Sequence, residues 1–120
     1  TFGPLCVEPK WQGYGVGELL FKETMNLAAN KGYKGIVIFG EPDYYPRVGF
    51  KTCDNFNITT ADGKNFDAFM GMELVKDGMK NIKGKFRESE VFEKLPKEAV
   101  EEYNLKFPRL QKLRFPGQWD

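Results

Sequence analysis

Apolar and polar residues follow three successive patterns in the first third of the chain. The run from Phe2 to Val7 is short and apolar, which predicts a buried strand with Pro4 near its start. Between residues 16 and 31 apolar side chains recur at helical spacing and Gly32 follows, which predicts an amphipathic helix. Residues 35–39 are rich in β-branched side chains and predict a second strand. Strand, helix and strand at this spacing predict a right-handed βαβ unit with parallel strands.

The next segments are shorter and more polar. Residues 44–48 have room for only a turn or two of helix, and residues 50–53 predict a strand. The sequence Ala-Asp-Gly-Lys at 61–64 is typical of a hairpin turn. Residues 66–75 predict a long strand. One face of that strand is expected to pack in the core through Phe66, Ala68, Met70, Met72 and Leu74.

The composition changes after Val75. Residues 76–90 are charged and interrupted by glycines, with a strand predicted near 85–91, and residues 96–104 predict a short solvated helix that begins at a proline. The last sixteen positions again carry apolar side chains, which we expect to pack on the body or on a partner: Phe107, Leu110, Leu113, Phe115 and Trp119. We therefore predict a core at residues 1–75 and a C-terminal extension at residues 76–120.

A glycine-rich loop, Gln12-Gly13-Tyr14-Gly15-Val16-Gly17, lies between the first predicted strand and the helix. Bare backbone followed by a helix N-terminus directs several amide N–H groups to one point, which suits a phosphate. A nucleoside-triphosphate loop requires a lysine after the last glycine, where this chain has Glu18, so that loop type is excluded. A dinucleotide-binding loop requires a glycine at the same position, which disfavours a nicotinamide oxidoreductase although Glu41 lies at the expected distance.

The composition excludes several kinds of site. The chain has no histidine, which removes serine and cysteine triads and every zinc site that needs imidazole. Two cysteines cannot form a four-thiolate site, so we expect no metal. With 18 basic and 17 acidic residues, the net charge of +1 gives no footprint for nucleic acid. No apolar run is long enough to span a membrane. Cys6 and Cys53 are expected to be buried free thiols of a cytoplasmic protein, with a disulfide between them as the alternative.

Three motifs together resemble the GNAT superfamily of acyl-CoA-dependent N-acyltransferases. Gln12, Gly15 and Gly17 occupy the fixed positions of its motif A, Gln/Arg-x-x-Gly-x-Gly/Ala. Upstream, residues 5–9 (Leu-Cys-Val-Glu-Pro) resemble the Leu-x-Val-x-Pro that precedes motif A in many members. Downstream, residues 44–50 (Tyr-Tyr-Pro-Arg-Val-Gly-Phe) resemble the Phe-Tyr-x-x-x-Gly-Phe segment. The sequence from Gly40 to Arg47 is also similar to the corresponding sequence in a bacterial subgroup of predicted acetyltransferases.

The resemblance implies a fold, a co-substrate and site residues. The fold is an α/β GNAT-like acyltransferase fold with a mixed sheet and a central amphipathic helix. The co-substrate is acetyl-CoA, whose pyrophosphate the loop holds at Gln12, Gly13, Tyr14, Gly15, Val16 and Gly17, and whose pantetheine pairs with the backbone of Leu5, Cys6 and Val7. Tyr45 aligns with the tyrosine that protonates the departing thiolate, with Tyr44 as its core-side partner. The implied reaction is direct transfer of an acetyl group to a primary amine.

The resemblance covers residues 2–75 and departs from the family in three respects, one of which is the absence of the asparagine that often precedes the tyrosine segment. The family supplies three strands and two helices before the strand predicted at residues 2–7, so this chain corresponds to the C-terminal half of the fold. Glu18 places a negative charge at the start of the helix, beside the expected pyrophosphate. A second hypothesis is therefore a non-catalytic module that binds acyl-CoA or a protein. In that case the unpaired edge of residues 2–7 would pair in a homodimer or with a separate N-terminal half.

Overall fold

The computed structural model describes residues 1–114 and 116, and contacts divide the chain into two compact units, Thr1–Arg87 and Glu88–Asp120. The first unit contains one long helix, α1, and five strands, β1 to β5. Their bounds are α1 Val16–Asn30, β1 Gly35–Phe39, β2 Lys51–Thr52, β3 Ile58–Thr60, β4 Phe69–Glu73 and β5 Gly84–Phe86. The first unit combines antiparallel and parallel strand pairs with a helix, as the predicted α/β class requires.

Helix α1 begins where the glycine loop ends and stops one residue earlier than predicted. Gly15 precedes it with φ of +79°, a left-handed conformation that residues with a Cβ rarely adopt. Gly32, with φ of +90°, lies just beyond its end. The side chains that α1 buries are Phe21 and Met25, one turn apart, whereas the apolar residues Leu19 and Leu27 are exposed. The helix was therefore predicted correctly, but its buried face is narrower than the apolar pattern suggested.

The main sheet has the strand order β1-β4-β2, and both of its pairs are antiparallel. The predicted parallel βαβ unit is wrong, because residues 2–7 form no strand in the described part of the chain. An extended segment becomes a strand only where a neighbour supplies hydrogen bonds, and Pro4 in addition has no N–H to donate. The segment is instead held by side chains, since Phe2 and Leu5 pack against the core.

The core consists of two apolar clusters, which take alternate residues of β1. Ile36 and Ile38 belong to the cluster that includes Phe21, Phe50 and Met70. Val37, between them, belongs to a second cluster with Cys53, Ile58, Phe69 and Met79. This division follows from the period of two in a strand, where successive side chains point to opposite faces. The predicted core position of Met70 is confirmed by an exposure of 1%, but Phe66 remains 43% exposed.

Several shorter predictions are confirmed in part. The turn at residues 61–64 is present, but it joins no hairpin, because β3 pairs in parallel with β5. The strand predicted at 50–53 shortens to β2, and the short helix at 44–48 is a 3-10 turn, Tyr45–Val48. Both cysteines are free, which excludes the disulfide. Cys53 is buried as predicted, whereas Cys6 is exposed, because the segment that carries it is not covered by a strand on each side.

The second unit contains a 3-10 turn, Glu90–Phe92, and helix α2, Lys97–Asn104. Helix α2 confirms the predicted short helix, and all of its residues are exposed. The rings of Tyr103 and Phe107 contact each other at 5.3 Å between centroids. Phe115 and Trp119, part of the predicted apolar tail, lie outside the described residues, and packing of the tail stays a prediction. In the described ranges, neither helix has both the length and the apolar character needed to cross a membrane.

Candidate functional site

An open cavity of about 410 Å³ lies beside the first turn of α1. Six of the predicted cofactor-binding residues line it, and they come from two segments that the chain brings together: Val7, Gln12, Gly13, Gly15, Val16 and Gly17. The opposite wall comes from the turn after β1, through Tyr44, Arg47 and Val48. The structure thus places the glycine loop and the Tyr-Tyr-Pro-Arg-Val segment, which begins 27 positions after Gly17, on one cavity.

The glycine loop is held in shape by backbone conformation and by one side chain. Gly13 and Gly15 have φ of +82° and +79°, which glycine adopts without strain. The Gln12 side chain donates a hydrogen bond from Nε2 to the Val7 carbonyl at 3.1 Å and so ties the loop to the extended segment before it. The first amide N–H groups of α1 have no carbonyl one turn earlier to bond, so they are available to an anion in the cavity.

The cavity stays open at Gly17 because a glycine stands there. A Cβ placed on Gly17 would lie 3.6 Å from Val7 Cγ2 and 4.0 Å from the Tyr44 hydroxyl oxygen. These are ordinary contact distances, so alanine would fit but would occupy part of the cavity wall. The Tyr44 hydroxyl therefore lies close to the helix N-terminus, in reach of whatever the amides bind.

The charges around the cavity are of both signs. Arg47 lines it, while Glu18 also lines it and forms an ion pair with Lys22 at 3.0 Å, one turn further along α1. The exposed carboxylate of Glu18 is thus partly compensated within the helix. Lys10, next to the loop, pairs with Glu8 at 3.3 Å. Glu18 thus lies at the cavity, while the position of an anion beside it stays a prediction.

The two tyrosines of the downstream segment have different surroundings. Tyr45 packs in the first core cluster, with ring centroids 5.4 Å from Phe50 and 6.4 Å from Phe2. Partial burial raises the pKa of the Tyr45 phenol above its usual value, and the neighbouring Tyr44 raises it to a smaller extent. Gly40 is necessary for this packing, since a Cβ there would come within 2.6 Å of the Tyr45 ring. The expectation that Tyr44 is the core-side partner is wrong: Tyr44 lines the cavity and Tyr45 lies against the core.

The remaining predicted residues flank the cavity without lining it. Leu5 packs partly against the core, Cys6 is exposed, and Tyr14 projects into solvent with 77% of its surface accessible. The structure also adds Trp11, which lines the cavity and which the motif comparison did not single out. The signal was present in the sequence, because an aromatic residue directly before Gln12 must lie next to the loop. In the described part of the chain, no three metal-ligating side chains come together.

Two curated relatives of this chain are both named N-acetyltransferases. No family model matches the chain. It is 27% identical over 81 residues to the uncharacterized N-acetyltransferase YhbS of Escherichia coli, covering 68% of this chain and 48% of that protein. It is 38% identical over 50 residues to the uncharacterized N-acetyltransferase YjhQ of the same organism, covering 42% of this chain and 28% of that protein. The chain therefore spans about half the length, or less, of the curated relatives it matches.

A solved structure shows the same fold. The crystal structure of the GNAT family N-acetyltransferase YhbS from Escherichia coli in complex with CoA matches with a TM-score of 0.70 and 26% identity. The match covers 78% of this chain and 52% of the solved one. The predicted GNAT-like α/β fold and the resemblance to GNAT N-acetyltransferases are thereby confirmed.

Proposed function

We propose that this chain, with the fold of a GNAT N-acetyltransferase, binds acetyl-CoA and transfers its acetyl group to a primary amine. The observation that carries the proposal is the cavity formed by the glycine loop at the N-terminus of α1, in a fold that matches a CoA-bound N-acetyltransferase. A pyrophosphate is the group that such a cluster of amides suits best. The acceptor is an amine because the relatives are named N-acetyltransferases.

In the proposed complex the loop residues 12–17 hold the pyrophosphate, and Arg47 supplies a positive charge from the opposite wall. The pantetheine arm runs along residues 5–7, which belong to no strand; the Val7 carbonyl accepts from Gln12, and the other backbone groups of this segment are the ones that pantetheine would pair with. A backbone N–H of this segment would also stabilise the oxyanion that forms when the amine attacks the thioester carbonyl. Attack is direct, with no acyl-enzyme intermediate.

The departing thiolate takes its proton from Tyr45 in this proposal. The role rests on the place of Tyr45 in the Tyr-Tyr-Pro-Arg-Val-Gly-Phe segment; burial raises the pKa of its phenol, which is protonated at neutral pH as an ordinary tyrosine is. Tyr44, whose hydroxyl lies near Gly17, contributes to binding of the co-substrate. We place the protein in the cytoplasm, where two free cysteines stay reduced.

Isothermal titration with CoA and acetyl-CoA tests the cavity. We expect binding of both, and no heat at millimolar ligand would overturn the proposal. Gly17→Asp places a carboxylate where the pyrophosphate would lie and should abolish binding. Asn26→Asp is the matched control, because it adds the same charge on an exposed position of the same helix and should leave binding unchanged. Release of free CoA thiol in the presence of a panel of primary amines then tests transfer.

The second candidate function is a binding module without catalysis, favoured by the unpaired backbone of residues 2–7. Such a segment can add as a strand to a second copy of the chain or to another protein. Sedimentation analysis and the thiol-release assay together distinguish the two candidate functions. A stable monomer that turns over acetyl-CoA supports the enzyme, whereas a dimer that binds CoA and releases no thiol supports the module.

A further inference from the structure

We propose that Trp11 is a stacking platform for the adenine ring of coenzyme A, an inference that rests on the function proposed above. Trp11 lines the cavity at the glycine loop and still exposes 54% of its surface. A large, flat and exposed aromatic ring at this cavity can bind a nucleobase, because every base has a π-face that stacks on an aromatic side chain.

Trp11 has a fixed backbone and an aromatic neighbour. Pro9–Trp11 forms a 3-10 turn, in which the Trp11 N–H donates to the Glu8 carbonyl at 2.8 Å. The Tyr14 ring packs edge-on against the indole, with centroids 6.3 Å apart and planes at 69°. Tyr14 does not line the cavity, so it serves as a brace and Trp11 as the surface that meets the ligand. A ring fixed in this way loses little conformational entropy when a base stacks on it.

The two halves of the proposed ligand need different surfaces, and the cavity has one of each. Pantetheine carries amides and needs backbone partners, which residues 5–7 offer. Adenosine needs a flat apolar face and positive charge for its phosphates. Trp11 supplies the face and Arg47 lines the cavity as a cation, while the Lys10 ammonium, 5.8 Å from the indole centroid, is paired with Glu8. The other aromatic wall, Tyr44, is less exposed at 38% and packs edge-on with Tyr45, so it is the poorer platform.

The inference specifies the acyl donor as a free coenzyme A thioester and makes a phosphopantetheine-bearing carrier protein, which has no adenine, a poor one. The test is a titration of wild type and variants with coenzyme A and with phosphopantetheine. Trp11→Ala should weaken coenzyme A binding by about tenfold or more and leave phosphopantetheine binding unchanged. Trp11→Phe should retain most of the affinity.

Tyr103→Ala is the matched control, because Tyr103 also has an aromatic neighbour and a lysine ammonium, Lys106, at 5.2 Å from its ring. It should bind both ligands as wild type does. A second readout is fluorescence in a Trp119→Phe background, where Trp11 is the remaining one of the two tryptophans. Coenzyme A, and the adenosine bisphosphate half of it alone, should quench this signal, while phosphopantetheine should not.

Each outcome is decisive. Equal losses for both ligands in Trp11→Ala would mean that Trp11 only shapes the loop, and unchanged affinity for both would mean that it does not touch the ligand; either overturns the inference. A selective loss in Tyr44→Ala without one in Trp11→Ala would move the platform to Tyr44 and also overturns it. In these three cases wild-type binding of coenzyme A leaves the proposed function standing. Failure of the wild type to bind coenzyme A at all would instead overturn both.

Discussion

At the scale of single residues, the chain separates two adjacent tyrosines by burial. Tyr45 packs in the core with a raised pKa, while Tyr44 reaches the cavity at the start of α1. We expect Tyr45→Phe to lower turnover on the order of a hundredfold, the lower range for loss of a general acid, with little change in CoA affinity. Tyr44→Phe should weaken CoA binding and change turnover less. Steady-state kinetics together with titration would show the reverse pattern if the roles were exchanged.

The glycines of the loop also differ from one another. Gly15 has a positive φ, so Gly15→Ala should lower the free energy of unfolding by about 1–2 kcal/mol, the cost of the left-handed region for a residue with a Cβ. Gly17 is helical with room for a methyl group, so Gly17→Ala should leave stability unchanged or raise it by up to about 1 kcal/mol. Urea unfolding of the pair measures both. Equal destabilisation would contradict the loop conformation described above.

Cys53 gives the unfolding free energy a dependence on alkaline pH. Burial, and to a smaller extent the nearby charge of Asp54, raises the pKa of the Cys53 thiol to about 12. The unfolded thiol ionises near its ordinary pKa of about 9 and the folded one does not, so ionisation favours the unfolded chain above that pH. The contribution of Cys53 is thus present below about pH 9 and is lost as pH rises toward 12. Cys53→Ala should show a shallower fall in urea midpoint over this window; identical slopes would exclude the effect.

At the scale of elements, residues 2–7 form the segment that leads into the glycine loop and carries the proposed pantetheine contacts. They lie extended beside the loop, and Cys6 exposes its thiol there. Iodoacetamide should therefore modify the native protein once, at Cys6, and the urea-unfolded protein twice. Saturating CoA should slow the native reaction, because pantetheine would cover residues 5–7. Intact mass and peptide mapping report both, with Cys6→Ser as the control that should remain unmodified in the native state.

The same segment shows where prediction from sequence stopped. Local signals sufficed for α1, because Gly15 and Gly32 mark its ends, and for β1, because its β-branched run is continuous. They did not suffice for strand pairing, which depends on partners distant in sequence: β1 pairs with β4, 34 residues later, and residues 2–7 pair with no strand in the part described. The sequence motifs identified most of the residues that line the cavity. They did not show that Tyr44, and not Tyr45, lines it, nor that Trp11 does, because side-chain direction in and beside a 3-10 turn is set by packing.

At the scale of the whole molecule, the core clusters of the described chain draw every member from the first unit. A protein truncated after Arg87 should therefore unfold cooperatively and still bind CoA. Truncation after Val75, the functional boundary predicted from sequence, removes Met79, which is 3% exposed, and β5 with Phe86. It should lose about 2 kcal/mol or more of stability. Thermal melts compare the two, and equal melting of both would show that residues 76–87 do not support the core.

The position of β4 at the centre of the order β1-β4-β2 has a consequence for synthesis. Both β1 and β2 pair with β4 in the main sheet, yet β4 comes after both of them along the chain. While the ribosome is still adding residues before Phe69, these two strands have no partner in the main sheet, although Phe21 and Phe50 can already meet Ile36 and Ile38. Helix α1 can form early, but the sheet must wait until Glu73 has left the exit tunnel. Until then Val37 lacks Phe69 and Met79 of its core cluster, so that this face of β1 is the one left incomplete in the nascent chain.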